Sequence, residues 1–259
     1  MKGLGRGLRG ARLAAGVFQD FIPVIVKVGQ LRQVRLLYVP RNCLTNKIKG
    51  LMNVTKPQVS IESHVDGDYI LKQLELAGRT AYKSEDKITS DSAKDFVRMI
   101  LKRGHLSVFE HQSITARVVC DRGVSHEIVR HRLASYTQES TRYCNYTKGK
   151  FGSEITVIEP CFWPQDDEKR KVWEQTVAQI EAGYNKLIEL GATPQEARSV
   201  LPNSLKTEVV VTMNLREWRH FFTLRTSKAA HPQMREVAIP MLAMFKERIP
   251  VVFDDINAE

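Results

Sequence analysis

The chain predicts an α/β fold on three observations. Apolar residues recur at helical spacing within 91–103, 166–190 and 215–224, and they alternate along 114–120 as in a half-buried strand. Hydrophobic residues make up 42% of 259, enough to fill the core of an ordered globule. No internal repeat or low-complexity tract interrupts this order, so a single α/β domain is expected.

The first fifty residues stand apart in charge and Gly content and lack clean periodicity. They hold ten Lys or Arg against one acid, Asp20, whereas the other 209 residues carry 29 bases and 28 acids. The net charge of +10 therefore belongs almost wholly to this segment, and the body of the protein is near neutral. An Arg-rich, acid-poor start suits a transit peptide, a basic tail, or sequence translated ahead of an internal start at Met52. The last is favoured, making 1–51 an extension with no catalytic part and 52–259 the functional domain. Gly5-Arg6-Gly7-Leu8-Arg9-Gly10 spells GxGxxG, but that loop must follow a strand, and only four residues precede it here. The longest early apolar stretch, Leu13 to Val28, is broken by Asp20 and Lys27, so no membrane span is expected. Cys43, Cys120, Cys144 and Cys161 form no CxxC pair, which fits a reducing cytoplasm.

From residue 68 the elements follow in order. Asp91 to Arg103 predicts a helix with Phe96, Met99 and Ile100 on one face and Gly104 as its stop. Ile114, Ala116, Val118 and Cys120 predict a strand. Residues 122–132 read as helical, with Asp121 as N-cap. Glu154 to Glu159 is a short strand, and Asp166 to Leu190 the longest helix, with Trp173, Val177, Ile180, Tyr184 and Leu187 as its apolar stripe and Gly191 as terminator. Pro194 and Glu196 open a helix carrying Arg198. Glu208 to Met213 is a strand ending at Asn214, and Leu215 to Leu224 a helix. A last helix starts near Pro232, where Pro240 predicts a kink or break.

The polar residues suggest three chemistries. His126-Glu127-Ile128-Val129-Arg130-His131 resembles the zinc motif HExxH with one residue too many. A spacing of i,i+5 turns the second imidazole roughly 140° around a helix, so no metal is expected there. Ser140 and the cysteines lie in no nucleophile-elbow sequence, which makes Ser140 a ligand-binding hydroxyl. The density of donors in Arg130-His131-Arg132, then Ser140 and Arg142, favours an anion with phosphate groups, since Arg captures phosphate bidentately. Nucleic acid is the alternative polyanion, and the near-neutral body argues against it.

Arg130-His131-Arg132, seven residues, then Ser140, resembles the signature of the flavin-dependent thymidylate synthases. The likeness runs from about Leu76 to Pro250 and includes Gly104-His105-Leu106-Ser107-Val108-Phe109-Glu110-His111, Glu196-Ala197-Arg198-Ser199-Val200-Leu201-Pro202, Asn214-Leu215-Arg216 and Leu224-Arg225-Thr226. It implies a single domain with a mixed sheet and long helices, and reductive methylation of dUMP to dTMP. The one-carbon unit would come from methylenetetrahydrofolate and the hydride from FAD reduced by NADPH, in a homotetramer with sites where subunits meet. The resemblance assigns FAD to Ser107, Arg130, His131, Arg132, Gln138, Asn214, Leu215, Arg216 and His220, with His105 near the flavin ring. It assigns dUMP to Glu127, Ile128, Val129, Arg130, Gln138, Glu139, Ser140, Thr141, Arg142, Arg198 and Arg225. Arg142 and Arg198 would take the phosphate, aided by backbone amides around Ser140, with Arg198 reaching in from a neighbouring subunit. Arg225 would be the catalytic residue at the uracil edge. Glu127 and His220 depart from the commoner Gln and Asn, and Glu127 would need an arginine such as Arg130 or a ribose hydroxyl beside it.

Overall fold

A computed structural model describes residues 21–28, 33–40, 53–146 and 155–259. The chain divides into two units, 1–51 and 52–259. In the first, β1 (Phe21–Val28) pairs antiparallel with β2 (Gln33–Pro40), where the sequence reading found no periodicity. Both are short, nearly continuous runs of β-branched and aliphatic residues, which suit a strand without alternating.

In the second unit β3 (Asn53–Thr55) pairs parallel with β7 (Thr156–Ile158), which is shorter than the strand expected over 154–159. Four antiparallel strands form the main sheet in the order β4 (Gln58–Ile61), β5 (Ser113–Asp121), β8 (Lys206–Asn214), β6 (Ala134–Gln138). The two long strands run in full register, from Ser113 opposite Asn214 to Asp121 opposite Lys206. Their alternation puts Ile114, Ala116, Val118 and Cys120 on the same buried face as Val211 and Met213.

Helices cover that face. In α1 (Gly67–Thr80) and α2 (Ser92–Lys102), Leu71, Leu74, Phe96, Val97 and Ile100 are buried. The two approach so closely at Gly78 that an added Cβ would lie 2.7 Å from the Phe96 ring. Glu75, 1% exposed, ties them further by accepting from Arg79 Nε at 2.7 Å and from Ser92 Oγ at 2.8 Å. Gly104 ends this region with φ +72°, the left-handed conformation expected of a helix stop. In α6 (Leu215–Arg225) Trp218, Phe221 and Phe222 pack with Phe245 of α7 (Pro232–Arg248) and with Phe253 in a net of ring contacts at 5.0–5.7 Å. The long helix α4 (Glu168–Glu189) buries Val177 and Tyr184 in a smaller core with Tyr146, Ile155, Val157 and Leu205. The four-residue α5 (Pro194–Ala197) starts with Pro at its first turn and a Thr193–Glu196 capping box. Among the described residues, no helix is long and apolar enough to cross a membrane.

Two expectations are corrected. The helix expected over 122–132 stops early: α3 spans Arg122–Ile128. The chain then tightens into three-residue turns, Arg130 N donating to Glu127 O and His131 N to Ile128 O, both at 3.2 Å. Leu133, at φ 64°, swings the chain into β6, a conformation that costs a non-glycine residue about 1–2 kcal/mol. Arg130-His131-Arg132 therefore occupies the turn between α3 and β6. Of the kink or break expected at Pro240, the break does not occur: α7 continues to Arg248, with Met234, Val237, Met241, Leu242 and Phe245 buried along it. Burial on both sides of the proline outweighs the one backbone hydrogen bond it removes.

Candidate functional site

The α3–β6 turn and the exposed face of α6 border an open cavity of about 500 Å³, lined by Arg130, His131, Arg132, Leu133, Glu217, His220, Leu224 and Arg225. Helical spacing carries Glu217, His220 and Leu224 onto one side of α6, while its other side is held in the aromatic core. Arg130 and Arg132 are exposed, and neither forms an ion pair among the described residues.

Arg225, the last residue of α6, is fixed at the inner wall by three contacts. Its Nε donates to His131 Nε2 at 3.0 Å, Nη1 to Glu127 Oε2 at 2.8 Å and Nη2 to the Glu127 carbonyl at 3.2 Å. An imidazole nitrogen that accepts from Arg225 must carry its proton on the other nitrogen, so Nδ1–H points at Glu217 Oε1, 3.3 Å away. His131 is only 6% exposed, and burial, reinforced by the Arg225 charge and by His220, pushes it down to about 4 from 6.5. Burial likewise holds the Glu217 carboxyl above its usual range. The arginine expected beside Glu127 is Arg225 rather than the Arg130 given as an example: the tight turn after Ile128 leaves Arg130 exposed while α6 brings the Arg225 guanidinium to the carboxylate.

The other expected residues fall into separate groups. At the far end of β6, Gln138 Nε2 donates to Ser125 Oγ at 2.9 Å and Thr207 Oγ1 at 3.2 Å, and Glu139 pairs with Lys206 at 3.1 Å. The next turn holds Ser140, Thr141 and Arg142, and Arg198 Nη1 lies 3.5 Å from Thr141 Oγ1. Arg198 thus lies beside this turn within its own chain. Three of the amides near Ser140 are engaged within the turn: Arg142 N donates to Ser140 Oγ at 3.3 Å, and Tyr143 N and Cys144 N to Ser140 O at 3.3 and 3.1 Å. The side chains of Arg142 and Arg198 are exposed.

At the start of α6, Asn214 caps the helix by accepting from Glu217 N at 2.9 Å, and Arg216 pairs with Glu110 at 2.5 Å. Glu110 lies on the turn Leu106–His111, which packs on α6 and carries exposed Ser107, with exposed His105 just before it. The side chains of Ile128 and Leu215 are in the core, and Val129 is exposed.

Glu217 was not anticipated. An acid in the first turn of a helix reads as a match to the helix dipole, and nothing local reveals that it meets His131, 86 residues away. His131, Glu217 and His220 place three potential ligand atoms within 4.8 Å of one another, the one such group among the described residues. The Arg225 guanidinium on His131 Nε2 opposes a cation there, whereas an anion in the cavity meets three arginines.

Comparison with known proteins identifies the family. Residues 68–251 match the Thy1 family, described as thymidylate synthase complementing protein. The flavin-dependent thymidylate synthase of Geobacter sulfurreducens is 35% identical over 187 residues, covering 70% of this chain and 79% of that protein. The enzyme of the same name from Pyrococcus horikoshii is 40% identical over 171 residues, covering 64% and 70%. Among solved structures, a UMP/dUMP methylase, PolB from Streptomyces cacaoi bound with 5-Br dUMP, superposes with a TM-score of 0.64 at 23% identity over 78% of this chain and 96% of that one, a likeness of fold. The chain belongs to the Thy1 family of flavin-dependent thymidylate synthases.

Proposed function

We propose that this member of the Thy1 family reductively methylates dUMP to dTMP, taking the carbon from 5,10-methylenetetrahydrofolate and using FAD reduced by NADPH. The observation that carries the reading is the cavity in which a neutral His131 and Glu127 hold Arg225 beside two unpaired arginines. The donor set fits the cofactor: Arg130 and Arg132 suit a diphosphate, while His131, Leu133 and Leu224 supply flat and apolar surface. Bound there, the flavin would supply the hydride that completes the methyl group.

The chain's own residues have the remaining tasks. Arg225 stays protonated, so it acts by charge: aimed at the uracil edge it stabilises the ring as N3 loses its proton and C5 becomes nucleophilic. His131 and Glu127 occupy one N–H on each of its three nitrogens, fixing the guanidinium plane and leaving other N–H groups for substrate. Arg142 and Arg198 receive the nucleotide phosphate. They lie at the turn after β6, outside the cavity lined by Arg225. In the homotetramer this reading includes, a complete site would join the α6 end of one copy to the Ser140–Arg142 turn of another.

The purified protein should be yellow with flavin absorbance, and should form dTMP from dUMP only with the folate donor and NADPH both present. Failure to bind FAD on reconstitution, or to form dTMP once loaded, would refute the reading.

A further inference from the structure

A separate cavity of about 270 Å³ opens at the N-terminal end of α3, and nothing in the reaction above uses it. Asp121 lines it and caps α3, its Oδ1 accepting from Val124 N at 2.7 Å. Its other oxygen, Oδ2, is buried and has no hydrogen-bond partner, in a residue only 4% exposed. An unpartnered buried carboxylate oxygen is costly, and burial holds this carboxyl above its usual range.

The remaining walls are aromatic. Phe162 stands 5.8 Å from Trp163 and edge-on to His231 at 5.5 Å, and α4 adds Trp173. Glu127 also lines the cavity, but its carboxylate is already paired with Arg225, which leaves Asp121 as the counter-ion. Asn203, Ser204, Gln233 and His231 complete the polar lining, and no Lys or Arg lines the cavity among the described residues. A positive charge gains the Asp121 carboxylate and several aromatic rings.

We propose that this cavity binds a small organic cation, an alkyl- or methylammonium head group, with Asp121 as counter-ion and Phe162, Trp163 and Trp173 as walls. The site shares Glu127 with the machinery that holds Arg225, but its proposed ligand does not depend on the activity assigned there.

Calorimetric titration of the full chain with tetramethylammonium, and in parallel with neutral tert-butanol of similar shape, tests the idea. Tetramethylammonium should bind saturably and at least about tenfold more tightly than the alcohol. Asp121→Asn keeps a helix-capping oxygen while removing the charge, and should weaken tetramethylammonium about tenfold. Equal binding of cation and alcohol, absence of saturable cation binding, or undiminished affinity in Asp121→Asn would overturn the proposal. If that variant fails to fold, Phe162→Leu decides, because Phe162 is 42% exposed and tolerates the change. A several-fold loss is expected there, and an unchanged affinity would again overturn the assignment.

Discussion

His131 should make the protein's stability depend on pH in a way that replacing this one residue removes. In the folded chain the imidazole is held down to about 4, against 6.5 when free, because it is buried beside the Arg225 guanidinium and His220. Between those values the unfolded chain takes up a proton that the folded chain refuses. This penalty on folding is absent above pH 6.5, grows as pH falls, and is complete below pH 4. The window corresponds to about 3 kcal/mol at pH 4, a sizeable share of the roughly 5–15 kcal/mol that stabilises an ordinary domain. Glu217, Asp121 and Glu236 have carboxyls raised by burial, so the wild-type curve alone mixes several titrations. The difference between wild type and His131→Gln isolates the imidazole, since Gln can still accept from Arg225 but does not titrate. Urea unfolding at pH 7 and pH 4 should show wild type losing about 3 kcal/mol more than the variant. Parallel pH dependence, within about 0.5 kcal/mol, would mean that His131 is not held neutral and that its lone pair does not position Arg225.

Arg225→Ala should keep flavin absorbance and lose dTMP formation by about 10²–10³-fold in kcat, the usual scale for removing one preorganised charge-stabilising group; wild-type turnover would remove Arg225 from catalysis. A chain starting at Met52 should fold and retain wild-type kcat/KM, and a folded but inactive product would show that residues 1–51 belong to the working site. Gly78→Ala should cost about 1–3 kcal/mol in urea unfolding, because its Cβ would fall 2.7 Å from the Phe96 ring and α1 would have to move off α2; an unchanged midpoint would show that this contact can relax.

Features governed by local rules were legible from the order of residues alone. Alternation along 114–120 and helical spacing in 91–103 report which side of an element is buried, and they located β5 and α2 with their buried faces. Asp121, Gly104 and the Pro194–Glu196 start act within a turn of their own helix ends, so their roles were legible too. The Arg130–Arg142 run pointed to an anion, because three arginines within thirteen residues need no tertiary information to be noticed. Only the tertiary structure decided how those charges are used. Arg225 meets His131 and Glu127 across 94 and 98 residues, and Glu217 meets His131 across 86, pairings set by how α6 packs against α3 and the sheet. No periodicity within one segment encodes them. The same packing carries α7 through Pro240, where burial on both sides overrides a local preference, and the α3–β6 turn sets Arg130 in solvent and His131 in the core, although the two are neighbours in the chain.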